Sequence, residues 1–289
     1  MIGESELILN ARGSVYHLDL RPDEIADTII TVGDPSRVEE VSKYFVNIEF
    51  RKQRREFVTH TGYFAGRRLT VISTGIGTDN IDIVLNELDA LVNIDLESRT
   101  RNKETRRLKF IRIGTSGSLR AEIPVDSFVV SEFAIGIDNL LNFYELHYSD
   151  QERNLLHAFV NHVQKDRISF IPYLASSSAS LLSLFKDKIT SGITVTCPGF
   201  YGPQGRLLRA PLAYPHLTSL LSSFRYENFL LTNFEMETAG IYGLSQVLGH
   251  DAISLSAIVA NRIRNEFSQD HEATIDRLIR FALEKIVSD

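Results

Sequence analysis

Residues 27–37 read DTIITVGDPSR, a β-branched and apolar run that breaks into glycine, aspartate, proline and serine. The first half predicts a buried strand over residues 27–32, because β-branched side chains pack well on a pleated surface. The second half ends that strand and opens a helix over 36–45 (SRVEEVSKYF), with Pro35 in the first turn, where a missing N–H costs nothing. Strand, glycine turn and helix make the repeating unit of an α/β fold, and the same alternation continues outward from this stretch. Residues 57–63 and 69–73, joined through Ala65-Gly66, read as a hairpin. Helices are expected over 80–92, 151–164, 238–248 and 271–286. Strands are expected over 110–113, 127–133, 168–175, 193–197 and 252–259. The hairpin makes the sheet mixed rather than purely parallel. With no repeat, low-complexity tract or Pro/Gly/Ser linker, the expectation is one α/β domain over residues 1–289, a three-layer sandwich around a mixed central sheet.

Composition narrows the function. The chain has 289 residues, 43% apolar and 24% charged, with a formal net charge of −6. That is ordinary globular composition, and the acidic balance argues against nucleic acid as a partner. One segment departs from it: residues 97–109 (ESRTRNKETRRLK) are dense in Arg and Lys but carry no aromatic residue, so a solvated connection is the expected reading. Cys197 is the single cysteine and cannot form an internal disulfide, which fits a reducing cytoplasm. The opening MIGESELILN does not read as a signal peptide, and no apolar run reaches the roughly 18 residues of a membrane span.

Four glycine- or hydroxyl-rich turns are expected after apolar strands: Gly33-Asp34-Pro35-Ser36-Arg37, Ser73-Thr74-Gly75-Ile76-Gly77, Gly114-Thr115-Ser116-Gly117, and residues 199–205. Ligands of α/β sheets bind at such strand ends, where glycine admits backbone N–H groups to an anion and a helix N-terminus adds a favourable dipole. None has the Gly-Lys-Ser/Thr ending of a P-loop. Two arginines stand beside these turns. Arg37 lies in the helix after Gly33. Arg112 sits among Phe110, Ile111 and Ile113, where a charge must have a partner, either phosphate or one of the chain's carboxylates. Glu235 and Glu237 invite a two-carboxylate glycosidase reading, but residues two apart do not flank one bond, and Glu235 also suits a helix N-terminus. There is no HExxH and no Cys/His cluster for a metal.

The motifs converge when taken together. Val15-Tyr16-His17-Leu18, Gly33-Asp34-Pro35-x-Arg37-Val38, Arg55-Glu56-Phe57, Ser73-Thr74-Gly75-Ile76-Gly77, Arg112-Ile113-Gly114-Thr115-Ser116-Gly117, Phe200-Tyr201-x-x-Gln204-x-Arg206, Glu235-Met236-Glu237 and Ile258-Val259-x-Asn261-Arg262 resemble the uridine phosphorylase family, in its order and near its spacing. The resemblance runs from about Val15 to the C-terminal helix. It implies a single α/β domain assembled as dimers, often grouped into hexamers. It further implies that Gly33, Arg37, Arg112 and Thr115 bind inorganic phosphate, with Arg55 reaching in from the neighbouring subunit. Met236 and Glu237 would hold the ribose, with His17 of the neighbour at the 5′-hydroxyl. Phe200, Gln204 and Arg206 would form the base pocket. A monovalent cation would involve Glu56, Ile76 and Asn80, the last standing where the family usually has serine. No other cofactor is expected.

The implied reaction is phosphorolysis of a ribonucleoside, uridine first, to base and ribose 1-phosphate without a covalent enzyme intermediate, Arg112, Glu237, Gln204 and Arg206 being the catalytic group. Gln204 offers a donor and an acceptor and Arg206 only donors, which matches O2, N3–H and O4 of uracil. A purine nucleoside phosphorylase is the nearest alternative. That branch places an aspartate where Asn261-Arg262 stands here. A nucleosidase would not need Arg37, Arg55 and Arg112 together. A non-catalytic nucleoside- or nucleic-acid-binding protein is the alternative from another class. Two stretches depart from the family: the basic 97–109 segment is longer than usual, and residues 207–216 (LLRAPLAYPH), bordering the base pocket, do not follow it.

Overall fold

The computed structural model describes residues 1–165, 168 and 170–288. Its first half runs β1 (Thr28–Val32), α1 (Ser36–Ser42), β2 (Asn47–Arg54), β3 (Phe57–Phe64), β4 (Arg67–Ser73), α2 (Thr78–Asn93), β5 (Ile94–Asp95), β6 (Thr100–Arg101), β7 (Lys109–Ser118) and β8 (Phe128–Gly136). The second half runs α3 (Asp150–Gln164), β9 (Tyr173–Ser176), α4 (Ala179–Ser183), β10 (Thr190–Thr196), α5 (Leu217–Ser223), β11 (Arg225–Tyr226), β12 (Phe229–Glu235), α6 (Thr238–Leu248), β13 (Asp251–Asn261), β14 (Glu266–Phe267) and α7 (His271–Val287). All strands but β5 and β6 join one mixed sheet, in the order β11-β12-β10-β8-β13-β7-β1-β4-β3-β2, with β9 on β8 and β14 on β13. At one end the sheet closes on itself: β12 also pairs with β7, Asn233 opposite Ser118 and Phe234 opposite Gly117, so β7, β13, β8, β10 and β12 form a ring.

Strand alternation decides which side chains reach which layer. Ile29 and Phe110 join the core under α2 and α6, with Leu85, Leu88, Ile241 and Leu244. Their neighbours Ile30, Ile111 and Ile113 join the opposite core under α1 and α7, with Val38, Leu278 and Leu283. A third core, beneath α3 and α5, holds Phe133, Ile135, Phe159, Ile193 and Phe224. The helices thus form two outer layers on the mixed sheet, as the sequence predicts. Arg112 has the parity of Phe110, so its side chain belongs to the α2–α6 face.

Three expectations change. The stretch Gly114-Thr115-Ser116-Gly117 is not a turn: β7 runs through it to Ser118, because β13 pairs with it as far as Asn261. β2 escapes prediction because NIEFRKQR is an edge strand with alternate polar residues, Asn47, Glu49, Arg51 and Gln53, in solvent. The strand expected over 168–175 is shorter, Tyr173–Ser176, with Ser169 outside the described residues. The basic segment is the solvated connection expected: residues 97, 98 and 100–107 are exposed, β6 within it pairs with β5, and Arg106 pairs with Asp27 while Arg107 lies 3.6 Å from Asp251.

Phe159 is fully buried and meets Phe224 edge-on at 5.4 Å between centroids. Phe159→Ala should therefore cost about 3–5 kcal/mol, seen as a lower urea midpoint at unchanged slope. An unchanged midpoint would contradict this packing.

Candidate active site

The carboxyl ends of β1 and β4 and the start of α6 meet above β7. The Gly33 and Gly75 loops are laced together by the Thr74 N–H, which donates to the Val32 carbonyl at 2.7 Å. Gly77 caps α2 with a φ of +97°, a conformation few side chains tolerate. That geometry aims its N–H at Glu237 Oε1, 2.8 Å away on the first residue of the α6 cap. The loop after β4 and the start of α6 are therefore held by one carboxylate.

Arg112 lies beneath them, 6% exposed. Its guanidinium folds over Gly114, where a Cβ would overlap it, so glycine is required there by space. Nη2 donates to Glu237 Oε2 at 2.5 Å and lies 3.1 Å from Glu235 Oε2, whereas the buried Nη1 has no hydrogen-bond partner among the described residues. Glu235 and Glu237, two residues apart, converge on this one nitrogen because the chain turns from β12 into α6 between them. They still cannot act as a glycosidase pair. Glu235 is occupied by the backbone N–H groups of Glu237 and Thr238, both at 2.9 Å, and by the Thr196 hydroxyl at 2.7 Å, serving as the acid at the α6 N-terminus. Burial raises the Glu237 carboxyl above its ordinary range, and Arg112 opposes that rise. Burial and the nearby Arg112 charge lower the Arg37 guanidinium, whose side chain makes no hydrogen bond or ion pair among the described residues. Thr115, also on β7, is partly exposed.

A second group of polar side chains gathers where the sheet closes. Gln204 is 3% exposed, and its Oε1 accepts from Arg206 Nη1 at 2.6 Å. Arg206 stacks on Phe200 at 3.7 Å from the ring centroid, and burial, with Arg262 nearby, lowers it to about 10. Arg262 donates to the Gln204 carbonyl at 3.1 Å and lies over Phe234 at 5.5 Å. A Cβ at Gly117 would approach both Phe234 and Arg262, so the β7–β12 closure forms one wall of this group.

A model of the phosphorylase superfamily matches residues 27–287. The chain belongs to the phosphorylase superfamily. Among solved structures, a Trypanosoma brucei nucleoside phosphorylase described as showing uridine phosphorylase activity is 30% identical, covers 98% of this chain and 100% of its own, and superposes with a TM-score of 0.89. A uridine phosphorylase of Thermococcus kodakarensis is 27% identical over 90% of this chain and 82% of its own. A purine nucleoside phosphorylase of Buchnera aphidicola is 25% identical over 95% of this chain and 100% of its own.

Within this superfamily member, Arg112 and Glu237 meet directly, the fields of Arg37 and Arg112 overlap, and Phe200, Gln204 and Arg206 meet one another. Met236 is partly exposed between Glu235 and Glu237. His17 stands apart. Its Nδ1 lies 2.6 Å from Glu87, nine residues beyond Thr78 and hence roughly 14 Å along α2 from the helix start that touches Glu237. Arg55 shares that outer region, 5.9 Å from the Tyr16 ring beside which His17 also packs. Glu56 and Asn80 both crowd Gly75, with Ile76 68% exposed beside them. Among the described residues, no cluster of three or more His, Cys, Asp or Glu could hold a metal ion. Asn261 is not free to meet a base. Its amide donates to the Arg120 and Ile123 carbonyls and accepts from the N–H groups of Ile263 and Arg264. Sequence reasoning used Arg262 only as a contrast with the purine branch; its place in the Asn261-Arg262 motif was the available signal.

Arg112→Met leaves two buried carboxylates without their cation, at a cost of about 3–5 kcal/mol. A carboxyl raised in the folded state gives its full stability below its unfolded value and loses it as pH rises through the folded value. Losing Arg112 raises Glu237 further, so the variant's deficit should be larger near pH 8 than near pH 5 in urea titrations. A deficit that grows on acidification would contradict the assignment.

Proposed function

We propose that the chain cleaves uridine by phosphorolysis, giving uracil and ribose 1-phosphate, as one pentosyltransferase domain spanning residues 1–289. One observation carries this reading: Arg112 gives one nitrogen to Glu237 and keeps the other unpaired in a buried place beside Gly33 and Arg37. An arginine so divided can hold phosphate on one edge and orient a ribose-binding carboxylate with the other. The Trypanosoma brucei relative's described uridine phosphorylase activity supports the same substrate class.

In this mechanism Gly33, Arg37, Arg112 and Thr115 hold inorganic phosphate below C1′, while Glu237 accepts from the 2′-hydroxyl with Met236 against the sugar. A phosphate oxygen forms a bond to C1′ as the C1′–N1 bond breaks, through an oxocarbenium-like transition state. The bonding pair leaves with uracil. Gln204 at O2 and Arg206 at O4 stabilise that charge, and the base takes its proton afterwards from solvent. Phosphate is the only co-substrate and no organic cofactor is needed; the Glu56, Ile76 and Asn80 corner is the place for a monovalent cation. The separation of His17 and Arg55 from Glu237 within one chain supports a site shared across a homodimer, hexamers being built of such dimers. The single buried Cys197 suits the reducing cytoplasm, where we place the reaction. The backbone engagement of Asn261 favours a pyrimidine over a purine, since no acid stands there to protonate a purine ring.

Uridine should therefore exceed inosine and adenosine in kcat/KM, with base release absent when phosphate is omitted. Gln204→Ala should lower uridine kcat by roughly 10²–10³. Steady-state kinetics on a nucleoside panel checks both, and a highest kcat/KM for inosine or adenosine would refute the pyrimidine assignment. Mixing inactive Arg55→Ala with inactive Glu237→Ala protein should restore activity after subunit exchange. A mixture that stays inactive after exchange, or an active native monomer in sedimentation, would refute the shared site.

A further inference from the structure

Six buried side-chain polar atoms among the described residues lack a hydrogen-bond partner, and three belong to one neighbourhood: Thr31 Oγ1, Arg112 Nη1 and Ser256 Oγ. The sheet register brings them together. Thr31 on β1 is opposite Arg112 on β7, and Ser256 on β13 is opposite Gly114, over which the Arg112 guanidinium lies. Residues paired across a ladder share a face, with neighbouring strands about 5 Å apart. Both hydroxyls therefore flank the arginine on the α2–α6 face. Thr31 is 1% exposed and Ser256 0%.

The neighbouring Ser254, opposite Arg112 on β13, shows what a structural hydroxyl does in this layer: it bonds to Thr238 at 2.8 Å. Thr31 and Ser256 have no such partner, and a buried unpaired hydroxyl destabilises the fold unless a ligand pairs it. The side on which they lie identifies that ligand. Glu235 and Glu237 occupy Nη2, whereas Nη1 reaches toward Gly114, in the row shared with Ser256. Thr31 stands two residues before Gly33, whose loop leads to Arg37.

We propose that Thr31 and Ser256 are phosphate-binding residues whose hydroxyls form the floor of the anion seat, each donating to an oxygen of the inorganic phosphate that Arg112 Nη1 holds. The inference rests on the phosphorolysis reading and extends it from the loops down into the sheet. A hydroxyl suits the position because, besides donating to a phosphate oxygen as a guanidinium does, it can accept from a phosphate O–H, which a guanidinium cannot do.

Calorimetric titration of inorganic phosphate into wild type, Ser256→Ala and Thr31→Val, with phosphate and uridine KM measured in parallel, tests this. Each variant should bind phosphate about 3- to 10-fold more weakly and raise phosphate KM in the same proportion, with uridine KM unchanged. Thr31→Ser and Ser256→Thr, which keep the hydroxyl, should stay close to wild type. Unchanged phosphate affinity in folded Ser256→Ala and Thr31→Val, or a rise in uridine KM in place of phosphate KM, would overturn the proposal while leaving phosphorolysis intact. Wild-type protein that neither binds phosphate nor requires it for base release would refute phosphorolysis itself.

Discussion

The site depends on how the charge of Arg112 is divided. A guanidinium buried in a β-sheet is tolerable only when acids and hydrogen bonds replace its water. Here two carboxylates do so on one edge, and they come from a single tight connection between β12 and α6. Glu235 is itself held by the N-terminus of α6 and by Thr196, so it acts as a fixed counter-charge. Glu237 is held by Arg112 and by the Gly77 N–H, so its orientation depends on both the sheet and the loop after β4. One ion pair thereby links β7, the loop after β4 and the start of α6.

The ring closure of the sheet does the corresponding task for the group around Gln204. β12 must cross to β7 to bring Phe234 against Gly117, and that crossing places Arg262 and Arg206 on the same aromatic ring. The Gln204 side chain is then buried with its oxygen already taken by Arg206. Binding uracil would exchange that internal hydrogen bond for ones to the base. The exposed Phe200, Tyr201, Leu207 and Leu208 leave an apolar margin around this group, the last two in the 207–216 stretch that departs from the family.

Much of this was legible in the sequence because local physics and tertiary structure agree there. β1, α1, the β3–β4 hairpin and α6 follow from β-branched runs, Pro35, Ala65-Gly66 and an apolar helical stretch. Arg112 was legible as an anomaly, a charge among core residues, with phosphate and carboxylate both open as partners; the structure gives it carboxylates on one edge. What was not legible depends on pairing at long range. Gly114–Gly117 looks like a turn until β13 and β12 are seen to pair with it. The convergence of Glu235 and Glu237 depends on a chain reversal that residue spacing does not encode. Thr31 and Ser256 look like ordinary strand hydroxyls, and their unpaired state emerges only from the register of three neighbouring strands. Asn261, assigned to the base region by its motif, turns out to cap a loop.

The central claim is that phosphate, held on the open edge of Arg112, is the nucleophile at C1′. Phosphorus-31 NMR of the protein with uridine and inorganic phosphate tests it most directly. The account predicts a ribose 1-phosphate resonance growing in step with uracil release as the phosphate signal falls. Uracil release with an unchanged phosphate signal and free ribose as the product would contradict it.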